Sequence, residues 1–440
     1  MVKIMMEILT FKGGIHPKEE KIYTKDKFIR EMPLPSKVII PLRQHIGAPC
    51  ELKVVKGDEV KIGQVVGNSP AYVCANVHAT ISGKVVEIGQ MPHPVLGTCL
   101  SVVIESNSED KWVDLEPHRD WDRLCSEKLR EIIKEAGIVG MGGAGFPTHV
   151  KLSPPENKYI DTVILNGAEC EPYLTSDQRI MIERAKDITL GLKIIMKVLE
   201  VKKAFIAIEI NKPSALSLMA KATKEEKNIQ VVPLKTKYPQ GGEKQLIKAV
   251  LNREVPTGGL PLDVGVVVQN VGTALAIMET ITSGKPLIDR TVTVTGLGIK
   301  EPQNLRVRIG TSFQDVIDAC GGFDKEPGKI IMGGPMMGLA QKSTDVPVIK
   351  GTSGILVLPK KEVKISTPKD CIRCGKCIEI CPMRLMPNML GLLVERGRFD
   401  EAKDYHLLDC IECGSCGYVC PANRSLVHFI KLGKFKVSKK

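Results

Sequence analysis

The sequence has few aromatic residues and no long apolar segment. Phenylalanine, tryptophan and tyrosine make up 4% of its 440 residues, so rings that could stack on single-stranded nucleic acid are scarce and nucleic acid is not expected as a partner. No stretch reaches the about 18 apolar residues that a transmembrane helix requires. The first residues, MVKIMMEILTFK, contain neither an uninterrupted apolar region nor a cleavage pattern, so we expect no signal peptide. These absences predict a protein that is soluble or peripheral to a membrane.

The overall composition is that of a folded protein with a basic surplus. Hydrophobic residues account for 43% and charged residues for 25% of the chain, which is ordinary, and the length predicts about three domains. The net charge is +12, and part of this excess lies in a C-terminal stretch without acidic residues. Its lysines are Lys431, Lys434, Lys436, Lys439 and Lys440. A solvated tail, an anionic membrane surface and an acidic electron-carrier protein would each explain this stretch.

Cysteine is the residue type that says most about function. The chain has 14 cysteines, and those outside the C-terminal region are scattered without pairing spacing, which suits a reducing cytosol. The scattered cysteines are Cys50, Cys74, Cys99, Cys125, Cys170 and Cys320. The others form two runs, CIRCGKCIEICP at 371–382 and CIECGSCGYVCP at 410–421. Each run has the spacing C-x2-C-x2-C-x3-C-P.

This spacing resembles that of bacterial ferredoxins with two [4Fe–4S] clusters, in which the fourth cysteine of each run binds the cluster of the other run. The resulting assignment gives cluster 1 to Cys371, Cys374, Cys377 and Cys420, and cluster 2 to Cys410, Cys413, Cys416 and Cys381. Zinc sites and a disulfide framework are the alternatives. Zinc does not require the trailing Cys-Pro, and disulfide frameworks are typical of small secreted chains, so we predict two iron–sulfur clusters.

The N-terminal region predicts a small β-domain. Residues 35–106 alternate valine and isoleucine between Gly-Asp and Ser-Gly turns, which predicts antiparallel strands. The pattern resembles the barrel-sandwich domains that carry biotin or lipoate on a hairpin lysine. The corresponding hairpin, NSPAYVCAN at 68–76, has no lysine, so we expect a structural module. The arm before it contains FKGGIHP at 11–17, a loop that we expect to pack against a neighbouring domain.

A glycine-rich segment follows a predicted helix at 122–136, in which leucine and isoleucine recur at helical spacing. The segment contains G-x-G-x-x-G at Gly140, Gly142 and Gly145. A preceding helix is atypical of a dinucleotide-binding fingerprint, which follows a strand. Glycines nevertheless let backbone N–H groups approach an anion or a ring closely. A ligand-binding loop and a merely tight turn are therefore both compatible with this motif.

The next segments predict a sheet that presents polar residues at one edge. The predicted alternation consists of strands at 159–165, 204–210 and 264–273 and a helix at 187–199. NGAECEP at 166–172 follows the first strand, Gln269 and Asn270 end the last, and YPQGGE at 238–243 opens a further helix. Ligands of open α/β sheets bind at this edge. The alternative for 166–172 is a loop that caps the helix starting near Ser176.

Four motifs, taken in chain order, resemble the flavin-binding domain of the NADH-oxidising subunit of respiratory complex I. They are GxGGAGFPTxxK, NxxExEP, YxxGxE and NVxT. The resemblance implies a noncovalent FMN on which NADH stacks. The residues implied in binding are Gly140, Gly142, Gly143, Gly145, Lys151, Asn166, Glu169, Glu171, Tyr238, Gly241, Glu243 and Asn270. Glu169 and Glu171 are expected to orient ribose or amide groups, and no side chain is expected to act as a catalytic acid or base. Met141 and Ala168 replace an arginine and an aspartate of complex I, so some contacts are expected to differ.

The expected fold class is multidomain α/β and α+β. Residues 286–358 resemble the soluble-ligand-binding β-grasp domain of complex I, and 387–405 contain two helical pieces separated by Gly397. The expected domains are an arm (1–34), a barrel-sandwich (35–106), a Rossmann-like FMN/NADH-binding domain (107–285), a β-grasp domain (286–362), a helical two-cluster ferredoxin domain (363–430) and a basic tail (431–440).

This domain order, with FKGGIHP at 11–17 and QHIGAP at 44–49, resembles the RnfC family of the Rnf complexes, which are membrane-bound, ion-translocating ferredoxin:NAD oxidoreductases. The resemblance implies a peripheral subunit on the cytoplasmic face that passes electrons between NAD(H), FMN and two [4Fe–4S] clusters. Its implied partners are the other membrane and peripheral subunits, and ferredoxin through the complex. A flavin is required because nicotinamide exchanges two electrons and a cluster exchanges one. The alternatives are a soluble reductase, such as the related cobalamin reductase of propanediol-utilisation compartments, and a cluster-only relay.

Overall fold

The computed structural model describes residues 7–363 and 367–438. Parts of the predictions for the arm, for the segment before the first cysteine run and for the C-terminal lysines lie outside the described residues, at 1–6, 364–366, Lys439 and Lys440. The described chain forms four sheets and a helical C-terminal unit. Among the helices of these ranges, none has the length and hydrophobicity of a transmembrane segment.

The N-terminal arm runs along several other units and adds a strand to one of them. Ile15 is buried and forms a bridge with Tyr238 of the central domain, and Gly14 N donates to Ile380 O in the first cysteine run. Strand β1 (Ile29–Glu31) pairs in parallel with a strand that comes much later in the chain, at residues 303–308. The expected packing of the arm is confirmed, but the sequence did not predict this edge strand.

The predicted barrel-sandwich segment folds into two small antiparallel sheets around one apolar core. Its strands are β2 (Lys37–Pro41), β3 (Glu51–Leu52), β4 (Glu59–Val60), β5 (Val65–Asn68), β6 (Val77–His78), β7 (Gly83–His93) and β8 (Gly97–Ser106). The sheet orders are β2-β8-β7-β4 and β3-β5-β6. The alternating valine and isoleucine side chains, such as Val38, Ile40 and Val85, fill the space between the sheets. The hairpin without lysine lies between β5 and β6.

The central domain is a parallel sheet with helices on both faces, so its strands are buried almost throughout. Its strands are β9 (Thr162–Gly167), β10 (Ala204–Glu209), β11 (Ile229–Leu234) and β12 (Val266–Asn270), in the order β11-β10-β9-β12. Its helices are α1 (Ser126–Glu135), α2 (Thr148–Lys151), α3 (Ser176–Glu183), α4 (Ala185–Val198), α5 (Pro213–Ala222), α6 (Glu243–Leu251) and α7 (Val271–Ser283).

Two boundaries in the central domain differ from the prediction for local reasons. The predicted helix at 122–136 begins only at Ser126, because Trp121–Arg123 forms a separate 3-10 turn. The predicted strand at 264–273 ends at Asn270, whose side-chain oxygen accepts a hydrogen bond from Gly272 N and so starts helix α7.

A six-stranded mixed sheet follows, in the order β1-β14-β13-β17-β15-β16. Its further elements are β13 (Asp289–Thr295), β14 (Gln303–Arg308), α8 (Phe313–Asp318), β15 (Pro327–Met332), β16 (Leu339–Gln341) and β17 (Gly354–Pro359). Helix α8 is capped by the Ser312 hydroxyl, which accepts from Asp315 N. The predicted order of strand, turn, strand and helix is confirmed.

The C-terminal unit is helical, as predicted for 387–405. Its helices are α9 (Lys376–Glu379), α10 (Pro387–Glu395), α11 (Phe399–Asp404), α12 (Ser415–Tyr418) and α13 (Leu426–Ser438). Gly397 lies between α10 and α11. Residues 431–438 of the predicted basic tail belong to helix α13, and most of them are exposed. Lys434 lies 2.9 Å from Glu412, an acidic partner that is distant in the sequence.

Candidate functional site

The candidate site lies where the strand order of the central sheet reverses. From β9 the chain adds β10 on one side and later β12 on the other. Asn166, at the end of β9, and Asn270, at the end of β12, are register partners. Such a switch point leaves a crevice at the carboxyl ends of the strands. The sheet therefore places these two asparagines of the predicted edge site side by side.

The glycine-rich loop lies against this crevice. Gly140 N donates to Phe146 O at 2.8 Å, which closes the loop. Gly142 has φ +72°, and a Cβ there would lie 2.8 Å from Asn270 Nδ2. At Gly143, by contrast, a Cβ would meet no atom of the described chain within 4 Å. The loop thus touches the end of β12 at one glycine and presents open space at the next, as a binding loop requires.

Asp177 is a member of the site that the sequence analysis missed. Asn270 Nδ2 donates to Asp177 Oδ2 at 2.7 Å. The Glu169 carboxylate accepts from Asp177 N at 2.7 Å and from Gln178 N at 3.1 Å. Burial and the nearby Glu169 raise the pKa of Asp177 to about 6. Glu169 therefore caps the helix that starts at Ser176, which is the alternative that the sequence had left open.

On the other side of Asn166, the Y-P-Q-G-G-E segment closes the crevice. Asn166 Nδ2 donates to Gly241 O at 2.9 Å, and a Cβ at Gly241 would lie 3.3 Å from Cys170 Sγ. Lys151 Nζ and Glu243 Oε1 form a partly exposed ion pair at 2.6 Å. The structure thus brings the two predicted charged residues together at the rim of the site.

Position 141, where complex I has an arginine, lies beside an arginine from elsewhere in the chain. Met141 is buried, and its sulfur contacts the guanidinium of Arg290, which is also buried on β13 of the mixed sheet. Burial lowers the pKa of Arg290, and Asp177 opposes this effect. No sequence pattern indicated Arg290, because it is remote in the chain and belongs to a different motif.

Two predicted site residues connect the crevice to other units. Tyr238, 1% exposed, donates its hydroxyl to Cys413 O at 2.7 Å. The Glu171 carboxylate accepts from Met336 N at 3.1 Å and Met337 N at 2.8 Å. Burial raises the pKa of Glu171 to about 7. These side chains therefore contact the second cysteine run and the mixed sheet.

A buried lysine from the arm fixes the loop that carries both glutamates. Lys21 Nζ donates to the carbonyl oxygens of Glu169 and Glu171, each at 2.9 Å, and to that of Leu174. Burial lowers the pKa of Lys21. The position of the loop after β9 thus depends on the N-terminal arm.

The crevice fits a flavin mononucleotide in the chemistry of its groups. Gly142 allows a close backbone approach, and Gly143 faces open space. Gln269, 2% exposed, has both amide atoms buried without a hydrogen-bond partner in the described part of the chain. Buried polar groups usually have hydrogen-bond partners. The unpaired amide of Gln269 at the end of β12 could therefore form hydrogen bonds with the flavin ring or with the chain attached to it.

The four cysteines assigned to cluster 2 line one cavity beside the second cysteine run. The cavity is lined by Cys381, Cys410, Cys413 and Cys416 among apolar side chains such as Leu385 and Ile430. Two sulfur atoms accept backbone hydrogen bonds, Cys381 from Leu385 N at 3.4 Å and Cys410 from Glu412 N at 3.3 Å. Hydrogen bonds to sulfur and burial are the features by which proteins tune cluster potentials. The cavity therefore fits an iron–sulfur cluster.

The first run has the same spacing but a different environment. Cys377 is buried and interacts electrostatically with Cys371 and Cys420. Cys371 and Cys374 are exposed. Among the described residues, neither run brings three ligand atoms within 4.8 Å of one another. A single zinc ion requires closer ligands than a four-iron cube does, so this wider spacing favours clusters in both runs.

Comparisons with known proteins agree with this architecture. Family models match as the RnfC barrel sandwich hybrid domain (9–109), the Nuo51 FMN-binding domain (133–279), the SLBB domain (291–340) and the 4Fe-4S dicluster domain (363–421). The chain is 56% identical to the C subunit of the proton-translocating ferredoxin:NAD(+) oxidoreductase complex of Clostridium ljungdahlii, covering 96% of this chain and 93% of that one. The chain belongs to the RnfC family.

Other members of the RnfC family are similar over nearly the whole chain. The C subunit of the Na(+)-translocating ferredoxin:NAD(+) oxidoreductase complex of Acetobacterium woodii is 50% identical, covering 97% of this chain and 96% of that one. The C subunit of the ion-translocating oxidoreductase complex of Rhodobacter capsulatus is 43% identical, covering 99% and 84%. The predicted family, the FMN-binding domain and the two-cluster domain are confirmed by these matches.

Proposed function

We propose that this chain is the peripheral electron-transfer subunit of a membrane-bound, ion-translocating ferredoxin:NAD+ oxidoreductase. The relatives named as C subunits of such complexes support the proposal over nearly the full length. The observation that carries it is the junction between the switch-point crevice and the second cysteine run, where Tyr238 donates to Cys413 O at 2.7 Å. The proposed two-electron site and the proposed one-electron site would thus adjoin within one polypeptide.

FMN is proposed to bind along the glycine-rich loop and the ends of β9 and β12. The residues proposed to hold it are Gly140, Gly142, Gly143, Gly145, Lys151, Asn166, Gly241, Glu243 and Asn270. When bound, FMN accepts electrons in pairs from nicotinamide and releases them singly. The open space at Gly143 is the proposed approach for NAD(H), since a Cβ there would meet no described atom within 4 Å.

Glu169, Glu171 and Tyr238 are proposed as positioning residues. Each already has protein partners: Glu169 caps α3, Glu171 accepts from Met336 N and Met337 N, and Tyr238 donates to Cys413 O. No proton transfer is assigned to them. Their contribution is to hold the crevice, the mixed sheet and the second cysteine run in a constant arrangement.

The clusters are proposed to act in sequence, with cluster 2 next to the flavin site and cluster 1 at the surface. Cluster 2 is assigned to Cys410, Cys413, Cys416 and Cys381, and cluster 1 to Cys371, Cys374, Cys377 and Cys420. The order is supported by the Tyr238 contact with Cys413 and by the exposure of Cys371 and Cys374. Ile372, which is 68% exposed, is the proposed apolar contact for another member of the complex at this end.

The finer assignments follow from the same proposal. The segment 286–362 is proposed to be a β-grasp domain, supported by the SLBB match and by the strand–strand–helix order. The cytoplasmic face of the membrane is the proposed location, supported by the finding that none of the described cysteines forms a disulfide. The other members of the complex, and ferredoxin through them, are the proposed partners.

The test is anaerobic purification followed by iron, sulfide and flavin analysis and by paramagnetic resonance after addition of NADH. We expect bound FMN and bleaching of both clusters by NADH, together with co-purification of membrane subunits from the native host. A chain without saturable flavin binding would be a cluster-only relay. Reduction of cob(III)alamin without membrane subunits would identify a soluble reductase, and either result would contradict the proposal.

A further inference from the structure

A second group of metal-ligand side chains lies in the barrel-sandwich domain, away from the cysteine runs. His45 and Cys50 come from the loop between β2 and β3, and Cys74 comes from the hairpin at 68–76. Their ligand atoms all lie within 4.8 Å of one another. The three side chains are 7%, 6% and 3% exposed. Among the residues that the structure describes, no other three histidine, cysteine or acidic side chains come this close.

The separation of the two sulfur atoms suits ligands of one metal ion. Cys50 Sγ and Cys74 Sγ lie 3.5 Å apart. A disulfide would hold them about 2.05 Å apart. A tetrahedral ion with zinc–sulfur bonds of about 2.3 Å sets its sulfur ligands about 3.7 Å apart. The observed spacing is therefore close to that of a metal site and far from that of a disulfide.

His45 provides the matching nitrogen. Its Nδ1 atom is buried and has no hydrogen-bond partner in the described residues. Its Nε2 atom accepts a hydrogen bond from Ala75 N at 3.1 Å and also lies 3.1 Å from Ala48 O. A metal-binding histidine commonly donates its other ring N–H to a backbone carbonyl, which fixes the ring and leaves a lone pair for the ion. Metal binding at Nδ1 would place the ring proton on Nε2, which would then donate to Ala48 O and no longer accept from Ala75 N.

We propose that His45, Cys50 and Cys74 bind one structural Zn²⁺ ion. Binding releases the two thiol protons, and two thiolates neutralise the charge of the ion, which permits burial. The fourth position of a tetrahedral ion is left for a water molecule or another small donor.

The zinc would join two loops that support the flavin site. Ala48 N donates to Val73 O at 3.0 Å, so the loops already touch beside the ligands. Ile46 N donates to Gly145 O at 3.3 Å, which connects the first loop to the glycine-rich segment. The lysine-free hairpin thereby has a structural role in place of a carrier role.

The test is zinc and iron analysis of the anaerobically purified holoprotein. We expect about one zinc per chain, lost in Cys50→Ser and in Cys74→Ser, with iron content unchanged. Cys99→Ser, which removes a partly exposed thiol of the same domain, should retain the zinc. Zinc X-ray absorption of the wild-type protein requires no variant and should detect two sulfur ligands and one nitrogen ligand.

Several results would overturn the proposal. Peptide mapping without reductant that links Cys50 to Cys74 would identify a disulfide. Free thiols with no bound metal after incubation with zinc chloride would exclude the site. Retention of zinc in both serine variants, or a zinc spectrum without sulfur ligands, would assign the metal elsewhere.

Discussion

The two cysteine runs have identical spacing but lie in different surroundings. In the second run, Cys413 and Cys416 are buried, and the run contacts the central domain through Tyr238 and the mixed sheet through Met336, whose carbonyl oxygen is close to Gly414. In the first run, Cys371 and Cys374 are exposed. Spacing determines which atoms a cluster can use, whereas tertiary packing determines whether the cluster faces the flavin or a partner. The comparison therefore supports the proposed order of electron transfer, in which cluster 2 lies next to the flavin site and cluster 1 at the surface.

The largest expected effect comes from removing one cluster at a time. Cys413→Ser should lose half of the iron and nearly abolish the reduction of cluster 1 by NADH, because the relay next to the flavin site is missing. Cys374→Ser should also lose half of the iron but leave cluster 2 reducible. The measurement is iron analysis with paramagnetic resonance after NADH addition. Cys125→Ser, an exposed thiol outside both runs, is the control, and equal reduction of the remaining cluster in both variants would refute the order.

A glycine substitution should affect electron entry to both clusters equally. Gly142→Ala places a Cβ at φ +72° and 2.8 Å from Asn270 Nδ2, and the left-handed conformation alone costs about 1–2 kcal/mol. We expect FMN affinity to fall at least about tenfold, with both clusters present but slowly reduced by NADH. Flavin titration measures the effect. Gly97→Ala is the matched control because it places a Cβ at a similar φ of +79° with no atom within 4 Å in the described chain; an equal loss there would show that the close approach to Asn270 is irrelevant.

Exposure should distinguish the clusters without any mutation. Because Cys371 and Cys374 are exposed whereas Cys413 and Cys416 are buried, we expect ferricyanide to destroy cluster 1 several-fold faster than cluster 2. Freeze-quenched paramagnetic resonance of samples re-reduced with dithionite follows each cluster. If cluster 2 were lost first, cluster 1 would not be the surface cluster.

The smallest expected effect concerns the carboxyl group of Glu171, which accepts hydrogen bonds from Met336 N and Met337 N. Burial raises the pKa of Glu171 to about 7 from 4.5, so the folded state binds this proton more tightly than the unfolded state. Stability from this group is therefore highest below about pH 4.5 and declines as the pH rises to about 7, by at most about 3 kcal/mol. Glu171→Gln should remove that decline, as measured by thermal unfolding of the two proteins between pH 5 and 8.

The control for this pH dependence is Glu87→Gln, which changes an exposed carboxylate and should leave the profile unchanged. Hydrogen exchange at Met336 and Met337, whose amides donate to Glu171, adds a local measurement. A profile for Glu171→Gln parallel to that of the wild type would assign the pH dependence to other groups, such as Asp177.

Much of the site could be predicted because it consists of short local patterns. The glycine-rich loop and the two cysteine runs are each contiguous, and Asn166 and Asn270 end strands that are visible as apolar segments. The roles of Arg290, Asp177 and Lys21 could not be predicted. The sequence around each of them indicates only a helix or a strand, and tertiary packing brings the residue to the site. The contact between Tyr238 and Cys413 likewise joins positions 175 residues apart.

The sequence by itself determined the RnfC family, the ligand spacing of the clusters and the alternation that builds the central sheet, since these depend on neighbours within a few turns of chain. Only the tertiary structure decided that the second cysteine run contacts Tyr238, that an arginine from the mixed sheet lies beside Met141, and that Lys434 meets Glu412. These contacts depend on how whole domains pack. The residues that packing brings together are far apart in the chain, and no sequence pattern connects them.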